Sequence, residues 1–346
     1  MQQAARGFLP VADEVFRLQS GEGPECVFFR TMASDGKHTE PNPGRTRQGI
    51  YAFTPRGRRL GSLNSNNATR VAEMIEAAWQ EWQALTPEER LAGPALDPTP
   101  PGRIRYEWAY PEDGLVLRTT SRDLPEETEE PTGRWSHDHA WFTKSEARTF
   151  VPDRLRVGER RDVPRELVVR LARFHLLDSV RGQTTAYDPG DIREAELEAE
   201  IVRVDGSRVD LLFRGKTSAH GTRGWRTWGG RRRDASIEER SFDTRVFGTA
   251  TFDADREAFV ALDWVAVGER AGRTRFNGRR ADTDPGGMGI SLVLAPDRPA
   301  DRVPPAFFQL YGWEASARRN WAALEPAPAE TEAAPGSPTE SGAGGR

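Results

Sequence analysis

The chain has 346 residues, with 49 basic and 53 acidic side chains and a formal net charge of −4; that length fits two domains and a tail, and the charge balance gives no global attraction to a polyanion, which disfavours nucleic acid as a partner. Its one cysteine, Cys26, excludes an intramolecular disulfide and any Cys-x-x-Cys redox or zinc motif within the chain. Apolar runs are only a few residues long, too short for a hydrocarbon layer of ~30 Å, and the residues after Met1 lack the apolar core of a signal peptide. The chain as written is therefore expected to be cytoplasmic with no membrane partner, unless a start upstream of Met1 has removed a leader.

In chain order, residues 8–12 read as a short strand, and Cys26-Val27-Phe28-Phe29 as strand or buried helix, since so short a run shows no period. Gly49-Ile50-Tyr51-Ala52-Phe53 has strand length and composition. Thr54-Pro55-Arg56-Gly57 supplies turn residues, and residues 59–63 return as the antiparallel partner. Between residues 68 and 85, Val71, Met74, Ile75, Ala78, Trp79, Trp82 and Leu85 fall at three- and four-residue steps, which predicts an amphipathic helix. Asn66 or Asn67 can cap it and Thr86-Pro87 ends it.

Prolines crowd residues 86–105 and predict an extended connector. A hairpin is expected next, from residues 104–110 through Pro111-Glu112-Asp113-Gly114 to residues 115–120, followed by an acidic loop over 123–133. Thr143-Lys144-Ser145-Glu146 is a capping-box pattern that starts a short helix ending before Pro152. Residues 165–171 read as helix, with 172–180 its continuation or a strand.

Beyond that, Ala195, Leu197, Ala199 and Ile201 alternate with glutamates, and Val209, Leu211 and Phe213 resume the alternation after Asp205-Gly206. This is the period of a hairpin with one buried face. Further strands are expected at 244–252, 258–267, 273–276 and 289–294. From Pro326 onward the composition predicts a disordered tail. The reading is α+β, with a larger antiparallel β sandwich or barrel after the first region. Its divisions are residues 1–85, a Pro-rich connector with hairpin and short helix at 86–160, a β-rich domain at 161–322 and a tail at 323–346.

The order of strand at 8–12, strand at 50–53, Thr54-Pro55-Arg56-Gly57 turn, return strand at 59–63 and closing helix at 68–85 resembles the C-terminal half of a thioredoxin-like domain. The helix carrying Cys-x-x-Cys and the strand before it are absent, and Arg47-Gln48-Gly49 stands where thioredoxins place a cis-proline. The resemblance therefore implies a degenerate, redox-inactive α/β region. The later part, through Arg173-Phe174-His175-Leu176-Leu177-Asp178 and Val180-Arg181-Gly182, resembles a β domain found beside thioredoxin-like regions in large bacterial proteins, which implies no activity.

Three places could carry chemistry. Cys26 is the candidate thiol, but Glu25 precedes it and aromatics follow, whereas a reactive thiolate wants positive neighbours; the alternative is an inert core residue. His137-Asp138-His139 is the candidate metal element, because residues two apart on a strand share a face. It supplies two or three ligands where zinc needs three or four, so His175, His220 or a distant carboxylate would have to converge; otherwise the trio forms local hydrogen bonds. Arg223, Trp225, Arg226, Trp228, Arg231, Arg232 and Arg233 interleave cations with aromatics, as phosphate tracking and base stacking require, or they form a solvated loop.

Gly286-Gly287-Met288-Gly289 precedes a strand instead of joining strand to helix, so no phosphate cradle is read there. No catalytic residue and no cofactor is assigned. The function expected is a redox-inactive binding or assembly module with a protein partner. Its alternatives are a metal-dependent hydrolase or thiol oxidoreductase with a site at the domain junction, built from His137, His139 and Cys26, and an anion or nucleic-acid binder using residues 214–233.

Overall fold

The computed structural model describes residues 3–11, 15–21, 23–34, 47–65, 67–91, 106–124, 134–222, 239–298 and 301–313. The chain divides into two compact units, residues 1–103 and 104–346. Residues 115–120, expected in a connector over residues 86–160, lie in a strand of the second unit's sheet, Leu115–Asp123. The acidic loop beyond Leu124, most of the Pro-rich connector, the tail and the Arg/Trp run at 223–233 lie outside the described residues.

In the first unit, two helices, α1 (Val15–Ser20) and α2 (Pro24–Ala33), precede a two-stranded antiparallel sheet of β1 (Ile50–Phe53) and β2 (Arg59–Leu63). The helix α3 (Ala68–Ala84) follows, capped by the Asn67 side chain on the Arg70 amide. Thr86 then opens a one-turn helix, α4 (Pro87–Arg90), with a complete capping box. α2 settles the open reading at Cys26 in favour of helix, with Pro24 in its first turn, where a missing N–H costs nothing.

No strand forms at residues 8–11. A 3-10 turn, Ala4–Gly7, stands before them, and Leu9 and Val11 are exposed. Pro10 brings no amide to a ladder. Phe8 instead sets its ring edge-on to Trp79 of α3, 5.7 Å between centroids.

The second unit is built on one antiparallel sheet of eight strands: β3 (Leu115–Asp123), β4 (Trp135–Phe142), β5 (Arg160–Asp162), β6 (Ile192–Asp205), β7 (Arg208–Gly221), β8 (Arg240–Asp253), β9 (Ala258–Gly272) and β10 (Gly286–Leu294). Their order is β4-β3-β10-β9-β8-β7-β6-β5. The chain is thus α+β, and the layer opposite the sheet is helix and loop where a sandwich or barrel was expected. That layer contains α6 (Arg165–Phe174), which buries Leu167, Val168, Leu171 and Ala172 in the same core as Ala195, Leu197, Phe213 and Trp264. A short helix, α5 (Lys144–Arg148), starts at the Thr143 capping box.

The alternation across residues 194–214 forms β6 and β7 as expected, with Gly206 (φ +59°) in the two-residue turn between paired Asp205 and Arg208. Elsewhere the pairing differs from expectation. Residues 106–109 make a 3-10 turn, and β3 pairs with β4 on one side and β10 on the other. Residues 273–276 form no strand, since Gly272 turns the chain at φ +76°.

Candidate functional site

β4 is an edge strand, and its alternation separates the residues of the expected metal element. His137 lies opposite Thr120 on β3 and its Nδ1 is 2.8 Å from that hydroxyl. His139 lies opposite Arg118, with Nε2 3.6 Å from Asp301. Asp138 turns to the other face, towards His175 at the end of α6, and its Oδ1 accepts the Ala306 amide at 3.0 Å. Among the described residues no group of three or more His, Cys, Asp or Glu side chains could hold a metal ion. His220 is elsewhere, paired with Asp243 at 3.0 Å on exposed positions of β7 and β8.

The polar groups around His139 have their own balance. Burial pushes the imidazole below its ordinary pKa against the opposing pull of Asp138 and Asp301. Asp301 is itself pushed up by burial, but hydrogen bonds from Arg118 and Arg298 bring it to a net value below the usual carboxylate range. That centre is a packed set of ion pairs on the outer side of β3 and β4.

On the inner side lies a cleft of about 520 Å³. Thr119 and Ser121 of β3 and Ser136 and Asp138 of β4 line it on one side, the segment after α6, with His175 and Ser179, on the other, and Phe307 is also in the lining. His175 has a fully buried side chain. Its Nε2 meets the Tyr311 hydroxyl. Its Nδ1 lies 3.5 Å from Asp138 Oδ2 but makes no hydrogen bond among the described residues. Ser136 and Ser179 approach each other across the cleft, oxygen to oxygen 3.5 Å.

Buried charge holds this wall in place. The Arg279 side chain is fully buried and pairs with Asp123, at the end of β3, Asp178, next to Ser179, and Asp282. Arg181 joins Asp123 and Asp282, each at 2.8 Å. Burial alone would lower the Arg279 pKa, yet hydrogen bonds to Asp178 and Asp123 raise it above its ordinary value. Asp123 is pushed up by burial and pulled further down by Arg279 and Arg181. Farther along the same segment, Arg240 donates to Thr184 Oγ1 at 2.8 Å and to the Thr185 and Ala186 carbonyls at 2.7 and 2.9 Å, while its guanidinium lies 4.1 Å from the Tyr187 ring centre.

Arg170 fastens the far end. It binds both Glu146 oxygens, at 2.8 and 2.9 Å, and covers the Tyr311 ring at 4.7 Å. These ion pairs lie behind the lining and anchor the segments that carry it, through Asp123 at the end of β3, Asp178 beside Ser179 and the Thr184 hydroxyl. Of the trio expected at the site, Asp138 and His137 line it and His139 does not. Tyr311, Ser179 and Arg279 were not anticipated; none sits in a local pattern, and Arg279 meets Asp123 across 156 positions of sequence.

Cys26 belongs to the first unit, buried on α2 with Sγ 4.0 Å from Glu25 Oε1. Arg223, Trp225, Arg226, Trp228, Arg231, Arg232 and Arg233 lie outside the described residues. Gly287 and Gly289 lie within β10, where a side chain on either would meet Leu124, so their place is in sheet packing. No protein-family model matches the chain, and comparison with curated proteins and with solved structures found none similar to it.

Proposed function

We propose that the protein is a redox-inactive binding module whose ligand site is the cleft between β3, β4 and the segment following α6. The observation that carries this reading is a concentration of hydrogen-bonding side chains in a concave space of about 520 Å³, within the range of small-molecule sites. Preorganisation supports it further, because the Arg279 and Arg240 networks fix the wall before any ligand arrives.

Binding is favoured over catalysis by the state of the Asp138–His175 pair in the cleft. Nucleophilic catalysis needs the imidazole within reach of a hydroxyl in contact with substrate. Here His175 Nε2 engages the Tyr311 phenol, and burial raises that phenol's pKa well above its ordinary value. The cleft serines contact each other instead.

For residues 7–85 the thioredoxin-like resemblance remains part of this proposal, supported by the β1–β2 hairpin and α3 that follows it. Its role there is structural, since a dithiol exchange needs a second, resolving cysteine. A protein partner and a cytoplasmic setting belong to the same reading.

The test is a fragment screen by NMR on the full chain, with assigned signals for Ser136, Ser179 and Gln183. Fragment binding should shift these signals and be lost in Ser179→Tyr, which fills the cleft, but retained in Ser179→Ala. Hits confined to other surfaces would refute the assignment.

A further inference from the structure

We propose that the cleft takes a polyhydroxylated small molecule, one hydroxyl of which bridges His175 Nδ1 and Asp138 Oδ2; this rests on the cleft being the ligand site. The two atoms are 3.5 Å apart, and His175 Nδ1 is a buried polar atom with no hydrogen bond among the described residues. Leaving such a donor unmatched costs about 1–3 kcal/mol. A ligand group that satisfies it is therefore favoured over an apolar one.

Which group fits follows from the hydrogen positions. The backbone N–H of Trp141 points at the Tyr311 oxygen, 3.5 Å away, so the phenol's own hydrogen is directed to His175 Nε2. Nε2 is then the acceptor and Nδ1 carries the N–H. A doubly protonated ring would also present N–H at Nδ1. Asp138 Oδ1 is occupied by the Ala306 amide, which leaves Oδ2 as an acceptor.

The missing group must accept from Nδ1 and donate to Oδ2. A hydroxyl does both. An ammonium cannot accept, a carboxylate cannot donate, and a carboxylate or a phosphate is repelled by Asp138.

The remainder of the cleft agrees with that choice. Its described lining contains no Lys or Arg to attract an anion. Thr119, Ser121, Ser136 and Ser179 offer further hydroxyls that both donate and accept, spaced along two strands and the facing segment. Phe307, stacked against Phe174 at 6.2 Å and 30°, supplies an apolar wall for the C–H face of a sugar-like ring.

The experiment follows the imidazole nitrogens of 15N-labelled full-length protein by NMR, with His175 assigned through His175→Gln. The probes are myo-inositol, D-glucose and maltotriose, with spermidine and citrate as charged comparators. At least one polyol should shift the His175 Nδ1 signal saturably in the millimolar range. Asp138→Asn, whose carbonyl can still accept the Ala306 amide, should weaken that binding at least tenfold, and Ser136→Ala about threefold.

Spermidine or citrate acting at His175 while the polyols do not would overturn the hydroxyl assignment and leave the cleft as a ligand site. If fragments bind the cleft but none of the five probes moves His175, the hydroxyl assignment fails alone. When neither fragments nor probes bind there, the ligand-site reading fails with it.

Discussion

Arg279 and Asp178 form a bidentate pair inside the second unit, Nε to Oδ2 at 2.8 Å and Nη2 to Oδ1 at 3.0 Å. The guanidinium fork matches the carboxylate plane, and Asp123 takes the remaining face. Truncating one member of a buried charge set leaves its partners uncompensated, at a cost of about 3–5 kcal/mol. Arg279→Met should therefore lose about that much in urea unfolding, and Arg279→Lys most of it, because an ammonium cannot bridge two carboxylates in one plane. A loss below about 1 kcal/mol for Arg279→Met would show that the network is not a stabilising hub.

A second expectation concerns alkaline pH. Burial raises the Tyr187 phenol to about 12, against about 10 when unfolded. Below pH 10 both states keep the proton and the stabilisation is complete. Between pH 10 and 12 the unfolded chain releases it and the folded protein does not, so stability falls, by about 3 kcal/mol in all. Urea midpoints measured from pH 9 to 12 should drop less steeply for Tyr187→Phe than for the parent; parallel curves would contradict the assignment.

Cys26 should alkylate slowly. It is 2% exposed, which shields its Sγ from reagents in solution. Iodoacetamide at neutral pH is expected to label the native protein at least a hundredfold more slowly than protein in urea. Similar rates in the two conditions would show that α2 opens readily.

The Thr143 cap offers a smaller, separable effect. Its hydroxyl accepts the Glu146 amide at 3.2 Å, and the Glu146 side chain returns to the Thr143 amide at 2.9 Å while also holding Arg170. Thr143→Ala should cost about 1 kcal/mol. Thr143→Ser, which keeps the oxygen, should restore most of that, a comparison that separates the cap from lost packing.

Legibility in the sequence followed the range of each interaction. β6 and β7 were readable because Ala195, Leu197, Ala199 and Ile201 face the core while intervening glutamates face away. α3 and the Thr143 cap were readable for the same local reason. β4 was not, since its last four residues, His139, Ala140, Trp141 and Phe142, are all buried. Ala295, Phe308, Tyr311 and Trp313 cover one face there and the main core takes the other, so period-two alternation is lost. The cleft was half visible: the His137-Asp138-His139 run drew notice as a metal element, but alternation sends Asp138 to the opposite face from its neighbours. The partners that give it meaning, His175, Ala306 and Tyr311, are remote in sequence.

The strand order carries a kinetic consequence. β6, β7, β8, β9 and β10 are neighbours in sequence as well as in the sheet, and the β6–β7 and β8–β9 ladders close tight turns, between Asp205 and Arg208 and between Asp253 and Ala258. β3 must instead find β10 after the whole intervening chain has been made, as in the pairing of Leu117 with Leu294. Long-range closure loses more chain entropy before contacts compensate it, and such ladders are slow to form. During refolding, amides of the β6–β7 and β8–β9 hairpins should gain protection from hydrogen exchange before those engaged in the β3–β10 ladder, and simultaneous protection would contradict this order. A chain that has completed the meander but has not docked β3 on β10 would still lack one wall of the cleft, so the proposed ligand site would be the last feature assembled on the way to the native state.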